Sequence, residues 1–199
     1  MSFRWASRFI AGLGLGSLLA AAMFAMVIGR SDNRRLPPDA GEFLRAVDLT
    51  PLDRTAVHSE GRIKSFDSFA QETLGFISGP KRVLGLPPDL AYLDLMFRSE
   101  RYSDAPIIYV KNESMRGQLA STILAGATES QREAYTTRME TFRRTGLISP
   151  AMLEADNVQE LFQRWSLDIV RTAKHVNSIQ AALNISRPAS LLRMLDMIP

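Results

Sequence analysis

Apolar residues fall along this chain in three kinds of pattern, and each predicts a different element. From Phe9 to Gly29 the run FIAGLGLGSLLAAAMFAMVIG holds no charge, and Ser17 is its most polar side chain. At about 1.5 Å per residue such a run crosses a hydrocarbon layer about 30 Å thick. Backbone groups in lipid must bond one another, so the run is expected as a single transmembrane helix. A cleaved signal peptide is the alternative, although its apolar part is normally about 7–15 residues long. Residues 1–8 then form a short cytoplasmic tail and 9–29 an uncleaved signal anchor. Residues 30–40, RSDNRRLPPDA, make a proline-bearing linker, and 41–199 an exported domain.

Beyond the linker, helical and strand periods alternate. Asp39 can cap a short helix to Val47 that Pro51 ends. Ala56-Val57 and Ile63 flank His58-Ser59-Glu60-Gly61, and Gly61 can take the left-handed conformation of a hairpin turn. Ser65 precedes a run in which Phe66, Phe69, Ala70, Leu74 and Ile77 share one face, stopped by Gly79-Pro80. Pro87-Pro88-Asp89 opens a helix carrying Leu90, Leu93, Met96 and Phe97, and a polar loop follows from Arg98 to Asp104. The compact β-branched run Pro106–Val110 reads as a buried strand. Asn112 caps a helix with Met115, Leu119 and Ile123. Thr128-x-x-Gln131 spells a capping box that opens a charged helix to about Arg144, and Ser149-Pro150 starts another. One long helix is expected from about Asn157 to Leu183, with Leu161, Trp165, Asp168-Ile169, Thr172 and Val176 along one face and Phe162, Val170 and Ala173 beside it, a face expected to pack as core, with docking of a partner helix as the alternative. Arg187-Pro188 breaks it, and Leu191–Ile198 forms a short amphipathic end. The fold class expected is mainly α with a small β component (α+β), behind one N-terminal membrane helix.

Composition then narrows the chemistry. The chain has 199 residues, enough for one ordinary domain plus an anchor, and no cysteine. That removes disulfides, thiolate metal sites and covalent haem attachment through C-x-x-C-H. A formal charge of +3 looks basic, but of the 24 Lys and Arg, two (Arg4 and Arg8) precede residue 30, leaving 22 against 21 acids. The near-neutral remainder, with basic and acidic residues interspersed, gives no nucleic-acid surface. Positive charge is almost balanced across the apolar run and does not decide its orientation; a short N-terminal tail before a long C-terminal region usually inserts as a signal anchor, so the expectation is N-terminus inside and the C-terminal domain in the periplasm, at the cytoplasmic (inner) membrane. Gly12, Gly16 and Ala20 recur four apart and would let a partner helix approach closely.

Candidate chemistry is sparse. The chain has two histidines, His58 and His175; either could ligate haem or act as a switch near neutral pH, the plainer alternative being an exposed loop residue at His58 and a half-buried polar residue on a helix at His175. Met96, Met115, Met194 and Met197 could offer sulfur but sit at packing spacing. G-x-S-x-G, P-loop and Rossmann fingerprints are missing from the sequence, and the carboxylates are scattered among basic residues. A catalyst of its own is not expected, nor a resident metal; haem is the one cofactor the residues leave open.

The stretch His58–Pro80, HSEGRIKSFDSFAQETLGFISGP, with Gly61, Arg62, Lys64, Phe66, Asp67, Ser68 and Ala70 at the matching positions, resembles the extracytoplasmic segment of CcsA/ResB-type cytochrome c biogenesis proteins. There a short strand leads into a G-R-x-K-P turn and a helix, then a proline-led helix and a P-[IV]-[IV]-x-V strand, matched here by Leu86-Pro87-Pro88 and Pro106–Val110. The resemblance covers about residues 55–120. Ser65 replaces the motif proline, and the multi-span, haem-handling part of the family has no counterpart. What the resemblance implies is an accessory or scaffold role in cytochrome c biogenesis, with Gly61, Arg62, Lys64 and Asp67 as motif residues. The alternative is a cofactor-free structural subunit of a respiratory or photosynthetic electron-transfer complex. Either way the expected partners are membrane proteins and the lipid bilayer.

Overall fold

The structure, a computed structural model, describes residues 46–80 and 82–197. The apolar run 9–29 with Gly12, Gly16 and Ala20, the linker, and all but the end of the helix expected from Asp39 lie outside the described residues. Among the described residues no helix is long and apolar enough to cross a membrane. Those residues belong to one unit, Leu36–Pro199, which is mainly helical with two small sheets: an α+β domain, as expected.

Pro51 does not end a helix but starts one. Its fixed φ suits the first turn of α1 (Thr50–Asp53). The hairpin follows, β1 (Ala56–Ser59) against β2 (Arg62–Ser65), in the register Ala56↔Ser65 to Ser59↔Arg62. Glu60 (φ 51°) and Gly61 (φ 73°) both take positive φ, the type I′ geometry that matches strand twist. Ser65 then caps α2 (Phe66–Ser78), its Oγ accepting the Ser68 N–H at 3.3 Å. Phe66, Phe69, Ala70, Leu74 and Ile77 are buried, so the face read from the spacing is the packed one.

The proline-led helix is α3 (Pro88–Phe97), and it is central. Tyr92 is fully buried, meets the Phe66 ring edge-on at 5.6 Å, and donates its hydroxyl to the Leu191 carbonyl at 2.7 Å. That bond leaves no phenol unsatisfied in an apolar core. The polar loop after it winds into a 3₁₀ turn, Ser99–Tyr102, which buries Tyr102. The strand expected over 106–110 shortens to β3 (Ile108–Tyr109), antiparallel to β4 (Leu147–Ile148). Between them stands a helical hairpin, α4 (Glu113–Gly126) capped by Asn112 and α5 (Glu129–Thr145) opened by the Thr128/Gln131 capping box.

The long helix from Asn157 to Leu183 is not one helix. After α6 (Pro150–Leu153), α7 runs Asp156–Ser166 and α8 runs Ala173–Ile185. Local side chains break the ladder between them. The Thr172 hydroxyl donates to the Trp165 carbonyl, and Asp168 Oδ1 accepts the Arg171 N–H at 3.1 Å. Both offer the backbone an alternative to helix bonding, beside a β-branched Ile169-Val170 pair. Ile169 and Val170, expected on the packed face, are 82% and 93% exposed. Pro188 breaks the chain as read and opens α9 (Pro188–Met194), but the amphipathic end stops there: Asp196–Met197 becomes β5, pairing with β1 as Val57↔Met197 and His58↔Asp196. The three-stranded sheet is thus ordered β2-β1-β5.

Candidate functional site

Cross-strand partners point to the same side of a sheet, so the register sorts the motif residues. Val57, Lys64 and Met197 share one side, and Val57 is fully buried there. His58, Ile63 and Asp196 form a row on the other. The usual alternation is inverted: the cation of β2 faces the body of the domain and the aliphatic Ile63 faces solvent. An acid explains it. Glu72, on α2, accepts an ion pair from the Lys64 ammonium, whose stem is mostly covered. Arg62 lies beside the turn and is exposed.

His58 Nδ1 stands 3.6 Å from Asp196 Oδ2, both side chains well exposed, an ion pair whenever the imidazole is protonated. His175 is elsewhere, half-buried in the first turn of α8, whose packing neighbours are α7, α9, α2 and β3. The structure therefore places the two haem candidates on separate elements. Met96 and Met115 are buried core side chains, while Met197 is partly exposed on β5. Among the described residues no cluster of three His, Asp or Glu is arranged to hold a metal ion. Asp67 sits in the first turn of α2, where a carboxylate complements the helix dipole. It also bears on Asp53, whose carboxyl is held above the usual carboxylate range by burial first, then by Asp89 and Asp67.

Two polar clusters escaped the sequence. Asp94, almost fully buried, receives the Tyr102 hydroxyl and pairs with Arg98, while Arg101 Nη1 lies 3.7 Å away. Burial, then Asp94, raises the Tyr102 hydroxyl far above its usual range, so it stays a donor. The Asp94-x-x-x-Arg98 spacing signalled half of this cluster. The other is Arg116, whose Nε donates to the Val110 carbonyl at 2.7 Å and whose guanidinium carbon lies 5.5 Å from the Tyr109 ring centre. Nothing in the local sequence marks it. Both clusters tie elements together.

A cleft of about 300 Å³ opens between α5, β4 and α6, lined by Met139, Phe142, Ile148 and Met152, with Asp104 and Arg138 exposed beside it. That is the lower end of ligand-pocket volumes. The Ser149 hydroxyl in its wall is buried without a hydrogen-bond partner. Comparison of the chain with protein-family models, with curated proteins and with solved structures finds no match.

Proposed function

We propose that this chain is a single-span membrane protein of the inner membrane whose periplasmic domain is a non-catalytic scaffold in cytochrome c biogenesis. The observation that carries the reading is the form of the segment on which the resemblance rests. His58–Pro80 is one packed strand–turn–strand–helix unit, with Lys64 engaged by Glu72 and the His58–Ile63–Asp196 row turned to solvent. Such a unit presents an ordered outer face while its inward cation is paired within the domain, which suits holding a partner rather than transforming a substrate. The uncharged run 9–29 supports the anchor.

A strain lacking the chain tests the role. The expected result is loss of covalent haem across the c-type cytochromes with b-type cytochromes retained. Normal c-haem staining overturns the reading. Haem titration of the full chain, with His58→Ala and His175→Ala, separates haem carriage from scaffolding: a Soret shift lost in either variant would make the chain a haem carrier.

The small-residue stripe Gly12, Gly16, Ala20 favours a second reading, a structural subunit of an electron-transfer complex joined through its membrane helix. In that case the chain purifies with the complex and c-haem attachment is untouched.

A further inference from the structure

The turn between α7 and α8 is the most apolar exposed tip among the described residues: Leu167, Ile169 and Val170 are 83%, 82% and 93% exposed. Single exposed apolar residues need no explanation, but three within four positions do. The turn is not a loose end that threw them outward by default. Thr172 N–H donates to the Asp168 carbonyl at 3.1 Å, the Thr172 hydroxyl to Trp165, and Asp168 Oδ1 caps Arg171. The turn is therefore held together by hydrogen bonds that leave the aliphatic side chains on the outside.

The exposed charges that flank it along the chain are mostly basic. Arg164 in the last turn of α7, Arg171 in the turn itself and Lys174 in the first turn of α8 are all exposed. Asp168, the acid of the turn, accepts a backbone N–H through its carboxylate, and the next acid back along α7 is Glu160. A short aliphatic tip with a cationic collar has too few anchors for a helix groove and no free strand to add to a sheet. It has the chemistry of an interfacial contact: apolar side chains entering the headgroup–acyl boundary, basic ones meeting anionic headgroups.

We infer that the 167–171 turn seats on an anionic bilayer, giving the exported domain a second, peripheral membrane contact that fixes its orientation. The bilayer is at hand because of the proposed anchor, and the inference rests on that reading.

The absence of cysteine lets a unique label report on it. Full-length Val170→Cys carrying an environment-sensitive nitrobenzoxadiazole dye is mixed with vesicles of phosphatidylcholine, with or without phosphatidylglycerol. The same dye on Phe97→Cys, at a 72% exposed position on α3, is the control. The expected result is a blue shift at 170, quenched by spin-labelled acyl chains, in phosphatidylglycerol vesicles and reduced by salt; the dye at 97 stays in water. Adding Arg171→Gln and Lys174→Gln weakens the docking equilibrium roughly 30-fold, two basic residues at about 1 kcal/mol each. A dye at 170 that reports water in both vesicle types overturns the inference, and so does protection that needs an added protein. Carbonate extraction of the unlabelled chain reports the anchor separately. A chain that resists extraction while the 170 dye stays wet sinks the turn contact alone. A chain that washes off while the dye still shifts in phosphatidylglycerol keeps the contact and sinks the anchor.

Discussion

Arg116 is the best single probe of how this domain is held together. Only 6% exposed, it fills the space between the end of β3, the start of α4 and the end of α5. Its guanidinium donates to the carbonyls of Val110 (2.7 Å), Lys111 (3.3 Å) and Arg143 (3.4 Å), and to the Tyr109 hydroxyl (3.3 Å), while a methyl group on Gly146 would collide with it. Arg116→Ala removes one strong charge-assisted bond, at about 2 kcal/mol, and three long ones at roughly 0.5 kcal/mol each. It also strands carbonyls that water reaches poorly, and relieves the cost of a buried cation, two effects of opposite sign. The net expectation is a loss of about 2–4 kcal/mol. Urea unfolding of the purified chain in mild detergent, followed by far-ultraviolet circular dichroism, measures it. Tyr109→Phe keeps the ring under the cation and loses one weak bond, so it should cost below about 1 kcal/mol. Arg116→Ala within about 0.5 kcal/mol of the parent would refute the assignment of Arg116 as the tie between these elements.

Three further outcomes are expected. Asp94→Asn leaves the buried Tyr102 hydroxyl and the half-exposed Arg98 and Arg101 facing a neutral amide and should cost about 1–3 kcal/mol, read as a lowered urea midpoint; an unchanged midpoint would show the cluster to be idle. Gly146→Ala puts a Cβ about 2.7 Å from Arg116 Nη2 at φ 76°, and should destabilise by about 1–3 kcal/mol, with Gly117→Ala, where nothing lies within 4 Å, showing no loss. Asp53 has its folded pKa raised, so its protonated form stabilises the fold: that contribution is whole below the unfolded value of 3.8 and is lost as pH rises through the folded one. Asp53→Asn should therefore raise the melting temperature at neutral pH, with the gain shrinking under acid; a gain independent of pH contradicts the cause.

Local signals carried far in this chain. Ser65, Asn112 and Thr128 cap helices where the sequence put them, because a cap is a contact between residues three apart and needs no tertiary help. The hairpin was legible for the same reason. The failure at Leu167–Thr172 is instructive. Apolar spacing continued through it at the helical period, but the competing bonds of Asp168 and Thr172 broke the ladder, and a period alone cannot weigh those bonds. Pairing of β5 with β1 joins residues about 140 positions apart, and no local pattern announces it. The inward turn of Lys64 likewise depended on Glu72 standing opposite, a fact of packing.

Native purification is the sharpest test of the proposed membrane-anchored scaffold that holds an assembly partner. The full chain, tagged at its C-terminus and extracted in mild detergent, should bring down a multi-span haem-handling partner in fixed stoichiometry without carrying haem itself. Recovery of the chain alone, after a carbonate wash has already released it from the membrane, would contradict both the anchor and the scaffold.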